Sequence, residues 1–258
     1  MKFKIYGVMG SVSGGQSNLG SNTTCLMVKN NKTEIVFDAG SGLINYMNQS
    51  RLNKFTLFIS HYHLDHILGL PFIAQIYDKD NSFDIYSPDL NGYNVQNALE
   101  TLMVEPILPM KPNYMGAKLN HHELRNNCTI HIDGLTIKGM LVDHPGGCMI
   151  YSIEEENKKI SILTDLPDGM EEDKDIMSFC KNSDLLYMDA FFLKEELTTA
   201  TLRSYGHASV ESAINILTKS NSKKLVLGHH QSIRIYSALS KYETDCIFVG
   251  REMQEYEI

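Results

Sequence analysis

Four potential metal ligands lie within six residues of this chain, in the run His61-Tyr62-His63-Leu64-Asp65-His66. Strand-forming residues at 55–60 precede the run, and the apolar segment at 67–72 predicts the first turns of a buried helix after it. Side chains two residues apart in an extended chain point to the same side, so His61 and His63 can bind one ion, while Asp65 and His66 can face a second. The competing interpretation, a polar loop with three incidental histidines, fits poorly because the whole chain has only ten histidines in 258 residues.

Composition places the chain among folded proteins and limits its partners. Hydrophobic residues make up 43% and charged residues 21% of the chain, which argues for a core and against disorder. The formal net charge of −8 provides no overall basic surface for nucleic acid. The five cysteines include no Cys-x-x-Cys pair, as expected for reduced thiols. Residues 1–10 are too polar for a signal peptide and no apolar run approaches the ~20 residues of a membrane span, so we expect a soluble cytoplasmic protein.

Further histidines and carboxylates occur where predicted strands end. His144 follows the strand predicted at 135–142 and precedes a Pro-Gly turn, and Asp165 follows the strand predicted at 159–163. A carboxylate in such a place can bridge two ions, because each of its oxygens can bind one. The pair His229-His230 follows the strand predicted at 223–228. Taken alone, residues such as His144 and Asp165 are more often ordinary loop residues.

The pattern His-x-His-x-Asp-His after an apolar strand resembles the signature of the metallo-β-lactamase-fold hydrolases. The order of strand, turn, strand, Asp-x-Gly-x-Gly, helix, strand and histidine motif is similar to the first half of that fold. The resemblance implies an α/β protein with a single domain over residues 1–258, folded as an αββα sandwich. Two β-rich halves would pack face to face with helices outside, and the metals would lie at the rim between the halves.

Later segments narrow the resemblance. The chain is similar to the phosphodiesterase branch of that family at residues 143–147, Asp165, Asp189-Ala190, Gly206-His207-Ala208-Ser209 and His229. This branch includes the transfer-RNA 3′-processing nucleases and small bacterial and phage cyclic-nucleotide phosphodiesterases, among them the anti-Pycsar enzymes. The processing nucleases have His-Glu-Ala-Thr where this chain has Met-Asp-Ala-Phe at 188–191, and they use a long Gly- and Pro-rich arm that we do not find here. These differences favour a small phosphodiester over transfer RNA.

The resemblance also implies which residues would hold two divalent ions, most simply zinc, with manganese as the alternative. The two sets are His61, His63 and His144 for one ion, and Asp65, His66 and His229 for the other. Asp165 would bridge the ions, and His230 is the alternative to His229.

A second group would take part in the chemistry. His207, oriented by Asp189, would protonate or stabilise the leaving oxygen, unless it is only a structural histidine at a helix start. Asp65 completes the predicted catalytic set. The helix after His207 is predicted at 210–217, with Ser209 as its N-cap.

Two features allow more than one interpretation. Asp38 ends the strand at 34–37 and precedes Gly40, so it either supports a metal-binding histidine or forms a turn. The segment 105–114 contains three of the seven prolines and must be stiff and irregular. It is either a surface connection or a loop over the metals, and in the second case Tyr114 is the candidate for stacking on the base of a ligand.

The resulting prediction is a dinuclear metal-dependent phosphodiesterase that hydrolyses a 3′,5′-cyclic mononucleotide. The alternatives are an RNA endonuclease like the processing nucleases, a thioester or lactone hydrolase or a redox enzyme of the same fold, and a non-catalytic protein that uses the cleft to trap a ligand. We expect a small-molecule partner rather than nucleic acid or membrane. We also expect a homodimer, in which the glycine loop at 10–20 and the segment near Tyr114 close a shared cleft.

Overall fold

The structure is a computed structural model that describes residues 1–14 and 18–258. Part of the predicted glycine loop, residues 15–17, lies outside the described residues. The described strands are β1 (Lys2–Gly7), β2 (Met9–Gly10), β3 (Cys25–Lys29), β4 (Glu34–Phe37), β5 (Lys54–Phe58), β6 (Ser82–Pro88), β7 (Lys118–Leu124), β8 (Cys128–Ile132), β9 (Leu135–Val142), β10 (Cys148–Glu155), β11 (Lys158–Leu163), β12 (Leu185–Asp189), β13 (Leu225–Gly228), β14 (His230–Gln231), β15 (Ile247–Val249) and β16 (Glu255–Glu257).

Short helices connect these strands. The described α-helices are α1 (Gly42–Gln49), α2 (Leu64–Ile67), α3 (Val95–Leu102), α4 (Lys174–Cys180), α5 (Ala200–Arg203), α6 (Val210–Lys219) and α7 (Tyr236–Leu239). Turns of 3₁₀ helix occupy Leu70–Phe72, Ala74–Tyr77, Pro112–Tyr114, Met170–Glu172, Lys194–Glu196 and Ser240–Tyr242. The predicted N-cap of α6 is confirmed, since the Ser209 hydroxyl accepts the backbone N–H of Ser212 at 3.2 Å. None of the helices in the described chain has the length and hydrophobicity needed to cross a membrane.

Two seven-stranded mixed sheets form the centre of the described chain. The first has the order β16-β1-β3-β4-β5-β6-β7, and the second has the order β15-β13-β12-β11-β10-β9-β8. Each sheet has antiparallel neighbours on one side, such as β3 with β4 and β9 with β10, and parallel neighbours on the other, such as β4 with β5 and β11 with β12. Parallel neighbours require a crossover, which α1, α4 and α6 supply after β4, β11 and β12.

Apolar side chains from both sheets meet in one buried core. Phe37 and Phe58 of the first sheet contact Tyr151 of the second, with ring centroids 5.3 and 5.5 Å apart, and Phe3 contacts Tyr187 at 5.6 Å. A second buried cluster lies on the other face of the first sheet, where α1 and α3 cover it. The sheets therefore face each other with helices outside, and the predicted αββα sandwich is confirmed.

The helix predicted at 67–72 is wrong in its bounds. It is the single turn α2, which begins inside the histidine motif, and a separate 3₁₀ turn follows at Leu70–Phe72. Pro71 cannot donate a backbone hydrogen bond, which disfavours a continuous helix here. Gly69 also packs closely on the turn after β4, where a Cβ atom on it would lie 2.2 Å from the carbonyl oxygen of Gly40.

Two further segments differ from the expectation. The largely polar strand β7 was not predicted, because it is an edge strand paired only with β6 and most of its side chains are not fully buried. The sequence at 247–249 and 252–258 predicts one last edge strand. These residues form two, β15 at the edge of the second sheet and β16 at the edge of the first.

Candidate active site

The first half of the chain brings its candidate ligands to the end of β5. His61, Asp65 and His66 are buried, whereas His63 is exposed. The loop that carries them rests on the turn after β4, where the Ala39 N–H donates to the His66 carbonyl at 2.7 Å. Gly40 permits this contact, because a Cβ atom there would lie 2.2 Å from the carbonyl oxygen of Asp65.

The second half supplies single residues from several strand ends. His144 follows β9, Asp165 follows β11 and His229 follows β13. The strands β11, β12 and β13 are parallel neighbours, so their carboxyl ends meet at one edge of the sheet. Asp165 and His229 have φ of 53° and 52°, so the backbone turns sharply as each strand ends.

Asp165 lies between two groups of histidines. Its Oδ2 is 3.3 Å from His61 Nε2 and 3.5 Å from His144 Nε2. Its Oδ1 is 3.3 Å from His66 Nε2 and 3.4 Å from His229 Nε2. The two oxygens of one carboxylate therefore face opposite groups.

The structure thus brings the seven predicted metal ligands together in two sets. The ligand atoms within each set lie within 4.8 Å of one another, and the sets are His61, His63, His144 and Asp165, and Asp65, His66 and His229. His63 Nδ1 lies 3.2 Å from His144 Nε2 in the first set, and Asp65 Oδ2 lies 3.3 Å from His66 Nε2 in the second. The resemblance to the family implies the same grouping of the histidines, with Asp165 between the two groups.

The buried atoms of these clusters fit a metal. Among the described residues, His61 Nε2, His66 Nε2, His229 Nε2 and Asp165 Oδ1 are buried without a hydrogen-bond partner. Burying such atoms unpaired is costly, and a divalent ion satisfies converging imidazole and carboxylate lone pairs. The clusters are therefore able to bind metal ions.

The protonation states also favour metal binding. Although the residue as a whole is exposed, desolvation of the His63 imidazole beside the cluster and the neighbouring His61 lower its pKa to about 4. Burial lowers the pKa of His144 to about 3. Both imidazoles are therefore neutral near pH 7, which is the form that binds metal. His66 differs, because Asp165, Asp65 and Asp38 outweigh its burial and raise its pKa well above the usual value. A metal would take the place of that proton.

Hydrogen bonds from behind orient three of the imidazoles. Asp38 Oδ2 lies 2.8 Å from His66 Nδ1, Thr24 Oγ1 lies 3.0 Å from His229 Nδ1, and the Gly206 carbonyl oxygen lies 3.0 Å from His144 Nδ1. Each contact leaves Nε2 directed at the cluster. Asp38 has a φ of 62°, which forms a turn, and its carboxylate contacts His66 Nδ1. Its two interpretations, turn former and support of a histidine, are therefore compatible.

His207 forms a pair with the fully buried Asp189. Its Nδ1 lies 2.8 Å from Asp189 Oδ2, and Asp189 Oδ1 accepts the Phe191 N–H at 2.9 Å. The imidazole stacks on the Phe191 ring at 4.5 Å and on His229 at 5.1 Å. Burial opposes protonation of His207, but the Asp189 carboxylate outweighs it and raises the pKa of His207 to about 9. The pair thus lies against the cluster and can hold a proton there at neutral pH.

His230, the alternative to His229, lies outside the cluster. Its Nε2 lies 3.1 Å from the carbonyl oxygen of Gly250, and burial lowers its pKa to about 3. A strand-end turn directs two adjacent side chains differently, so only His229 faces Asp165.

An open cavity of about 230 Å³ borders the cluster. It is lined on one side by His61 and His63 and on the others by Tyr62, Leu90, Tyr93 and the turn at 145–147. Tyr114 is not among its lining residues, and its side chain is 57% exposed within the 3₁₀ turn Pro112–Tyr114. Tyr62 and Tyr93 line this cavity, and stacking of Tyr114 on a ligand stays a prediction. The position of Tyr62 inside the histidine motif could have indicated it, whereas the segment around Tyr93 has no pattern that indicates a site.

Comparisons with known proteins agree with this architecture. The model of the β-lactamase superfamily domain matches residues 33–230. Ribonuclease BN of Proteus mirabilis is 24% identical over 90% of this chain and 90% of that protein. Ribonuclease Z of Thermococcus kodakarensis is 29% identical, but the match spans 50% of this chain and 40% of that protein.

Solved structures show the same fold. YhfI of Bacillus subtilis, described as a metallo-β-lactamase fold protein, has a TM-score of 0.75 at 16% identity, with 99% of each chain covered. The short form of human tRNase Z has a TM-score of 0.70 at 18% identity, covering 100% of this chain and 99% of that chain. The chain therefore belongs to the β-lactamase superfamily, as a hydrolase of the metallo-β-lactamase fold that resembles the ribonuclease Z group.

Proposed function

We propose that the protein is a dinuclear metal-dependent phosphodiesterase whose substrate is a 3′,5′-cyclic mononucleotide. The observation that carries the dinuclear assignment is Asp165, whose two oxygens face two separate groups of histidines. His61, His63 and His144 would hold one ion, and Asp65, His66 and His229 the other. The mixture of imidazole and carboxylate ligands suits zinc, with manganese as the alternative. When bound, the ions supply Lewis acidity towards the phosphate and its attacking water.

The His207–Asp189 pair supports a phosphodiester substrate. The leaving alkoxide of a cyclic nucleotide needs a proton, and Asp189 holds Nδ1 of His207 so that Nε2 is the nitrogen available to deliver it. With its pKa raised to about 9, His207 carries that proton at neutral pH. A thioester or lactone hydrolase does not require such a pair.

The second candidate is cleavage of RNA, which the names of the relatives favour. Ribonuclease BN aligns with 90% of this chain, so the likeness is not confined to the metal motif. The net charge of −8 and the small cavity beside the histidines favour a small substrate instead.

One experiment separates these substrates. The protein is stripped of metal, reconstituted with zinc or manganese, and incubated with 3′,5′-cyclic mononucleotides, a precursor transfer RNA with a 3′ trailer, and an acyl thioester. We expect metal-dependent conversion of a cyclic nucleotide to a nucleoside monophosphate, measured by product chromatography. Cleavage of the precursor RNA alone would replace the proposal by the second candidate, and turnover of the thioester alone would refute both.

We also propose that the protein forms a homodimer. Val12, Ile233 and Ile235 are 57%, 82% and 56% exposed, and they lie on two neighbouring loops. The loops approach each other at Gly14, where a Cβ atom would lie 2.6 Å from Ser232 Cβ. Exposed apolar side chains on two neighbouring loops fit a two-fold contact. Light scattering that shows a monomer mass at micromolar concentration would contradict the proposal.

A further inference from the structure

The cavity beside the histidines presents rings rather than charges. Apart from His61 and His63, its described lining residues carry no ionisable side chain except the hydroxyls of Tyr62 and Tyr93. Among the described lining residues a phosphate has no positively charged partner beyond the histidines, whereas a flat uncharged group can pack against the walls.

Hydrogen bonds hold both tyrosine rings in place. The Tyr93 hydroxyl lies 2.9 Å from Thr101 Oγ1 and 3.3 Å from the Asn97 carbonyl oxygen, which fixes it to α3. The Tyr62 hydroxyl donates to the carbonyl oxygen of Pro88 at the end of β6. The two rings meet edge to face, with centroids 5.6 Å apart. Because the hydroxyls are engaged, the ring surfaces are what remains for a ligand.

Next to Pro145, part of the cavity wall is a pair of glycines without side chains. Gly146 and Gly147 have φ of 88° and 89°, a conformation that other residues seldom adopt. A Cβ atom on Gly147 would lie 3.0 Å from Leu90 Cδ2, so any larger residue there would crowd the cavity. The turn directly follows His144, which places the open wall next to the metal cluster.

We propose that this cavity binds the nucleobase of the substrate, stacked on the ring of Tyr93. The inference rests on the proposed function, because it assigns a base subsite to the same phosphodiesterase site. The volume of about 230 Å³ lies below the roughly 300–1,000 Å³ typical of sites for whole drug-sized ligands, which fits one ring system. The amide of Asn91 at the lip can both donate to and accept from the edge of a base.

The test compares two ligands that differ only in the base. Adenosine 5′-monophosphate and ribose 5-phosphate are titrated into the zinc-reconstituted protein by calorimetry. The wild type should bind the nucleotide more tightly. Tyr93→Ala should weaken nucleotide binding by roughly 5- to 150-fold, the usual contribution of one stacked base, and leave ribose 5-phosphate binding unchanged. Tyr93→Phe keeps the ring and should stay close to the wild type.

The outcomes separate this inference from the proposed function. Equal affinity of the wild type for both ligands, or an equal loss for both in Tyr93→Ala, overturns the base subsite even when cyclic nucleotides are hydrolysed. A preference for the nucleotide that Tyr93→Ala abolishes supports the subsite even when no phosphodiester is cleaved, and in that case only the proposed reaction fails. Because Tyr93 is 37% exposed, the alanine variant should fold, and an unchanged thermal midpoint confirms this.

Discussion

The two halves of the molecule reach the same centre in different ways. The first half concentrates four candidate ligands in one loop of six residues after β5, whereas the second half contributes His144, Asp165 and His229 from three separate strand ends. Both halves nevertheless use a sheet that changes from antiparallel to parallel pairing. The comparison shows that a dense local motif can be recognised in the sequence, while a site assembled from separate strand ends depends on the topology.

The halves are joined close to the cluster. The Met149 N–H of β10 donates to the Ser60 carbonyl at 2.9 Å, and the Tyr151 hydroxyl donates to the Ile59 carbonyl at 2.6 Å. Both acceptors immediately precede the histidine motif. The geometry of the cluster is therefore set jointly, and variants in each half can test how the two contributions differ.

The largest effect is expected from substitution of Asp165, the residue of the second half whose oxygens face both groups of histidines. In the proposed dinuclear site, Asp165→Asn should lose both metals and reduce kcat/KM by at least about 10³-fold, because the ions would account for several kcal/mol of charge stabilisation. His63→Ala removes an exposed ligand of one group only, so the other ion should remain. Elemental analysis gives the metal content of the two purified variants, and assays give their activity. Equal metal loss in both variants would contradict the prediction that Asp165 serves both ions and His63 only one.

A second effect separates proton transfer from metal binding. His207→Ala should keep its metals and lower kcat on a cyclic nucleotide by roughly 10²–10⁴-fold, the usual worth of a positioned proton donor. The loss should shrink with a nitrophenyl phosphodiester, whose leaving group departs without a proton. Asp189→Asn should show a milder form of the same pattern. An equal loss on both substrates, with metals retained, would instead assign His207 to holding the phosphate.

The hydrogen-bond partner behind the imidazole differs between the halves, because His66 of the first half contacts a charged carboxylate and His229 of the second contacts a neutral hydroxyl. Asp38→Asn removes the carboxylate 2.8 Å from His66 Nδ1 and should weaken metal binding by about 10–100-fold. Thr24→Val removes a neutral hydroxyl from His229 and should cost less. Competition for zinc with a chromophoric chelator measures both variants. A larger loss for Thr24→Val would reverse the assignment of Asp38 as the stronger support.

The smallest effect concerns the junction between the halves. Tyr151→Phe leaves the buried Ile59 carbonyl without its donor and should lower the free energy of unfolding by about 1–3 kcal/mol. The matched control is Tyr256→Phe, because the Tyr256 hydroxyl is buried without a hydrogen-bond partner in the described chain. Urea denaturation should show a shift of the midpoint for the first variant and little change for the second. Equal shifts of the urea midpoint in both variants would mean that the hydrogen bond from Tyr151 to the Ile59 carbonyl does not stabilise the protein.

Local patterns in the sequence determined a large part of this protein. Most strand positions and the N-cap at Ser209 follow from apolar alternation and side-chain chemistry, which act over a few residues, whereas the fold class was reached through the resemblance to a family. The histidine motif predicted a metal site by itself. The roles of His144, Asp165 and His229 were reached through the resemblance to a family, because each residue alone is compatible with an ordinary loop.

Only the tertiary structure decided how these residues meet. The turn after β13 directs His229 and not His230 towards Asp165, and Asp38 reaches His66 because β4 and β5 are neighbours. The polar edge strand β7 lacked the alternation that reveals buried strands. The cavity is lined by Tyr93 and not Tyr114, since its walls come from loops far apart in the chain. Contacts of this kind depend on sheet order and loop packing, which no short stretch of sequence encodes.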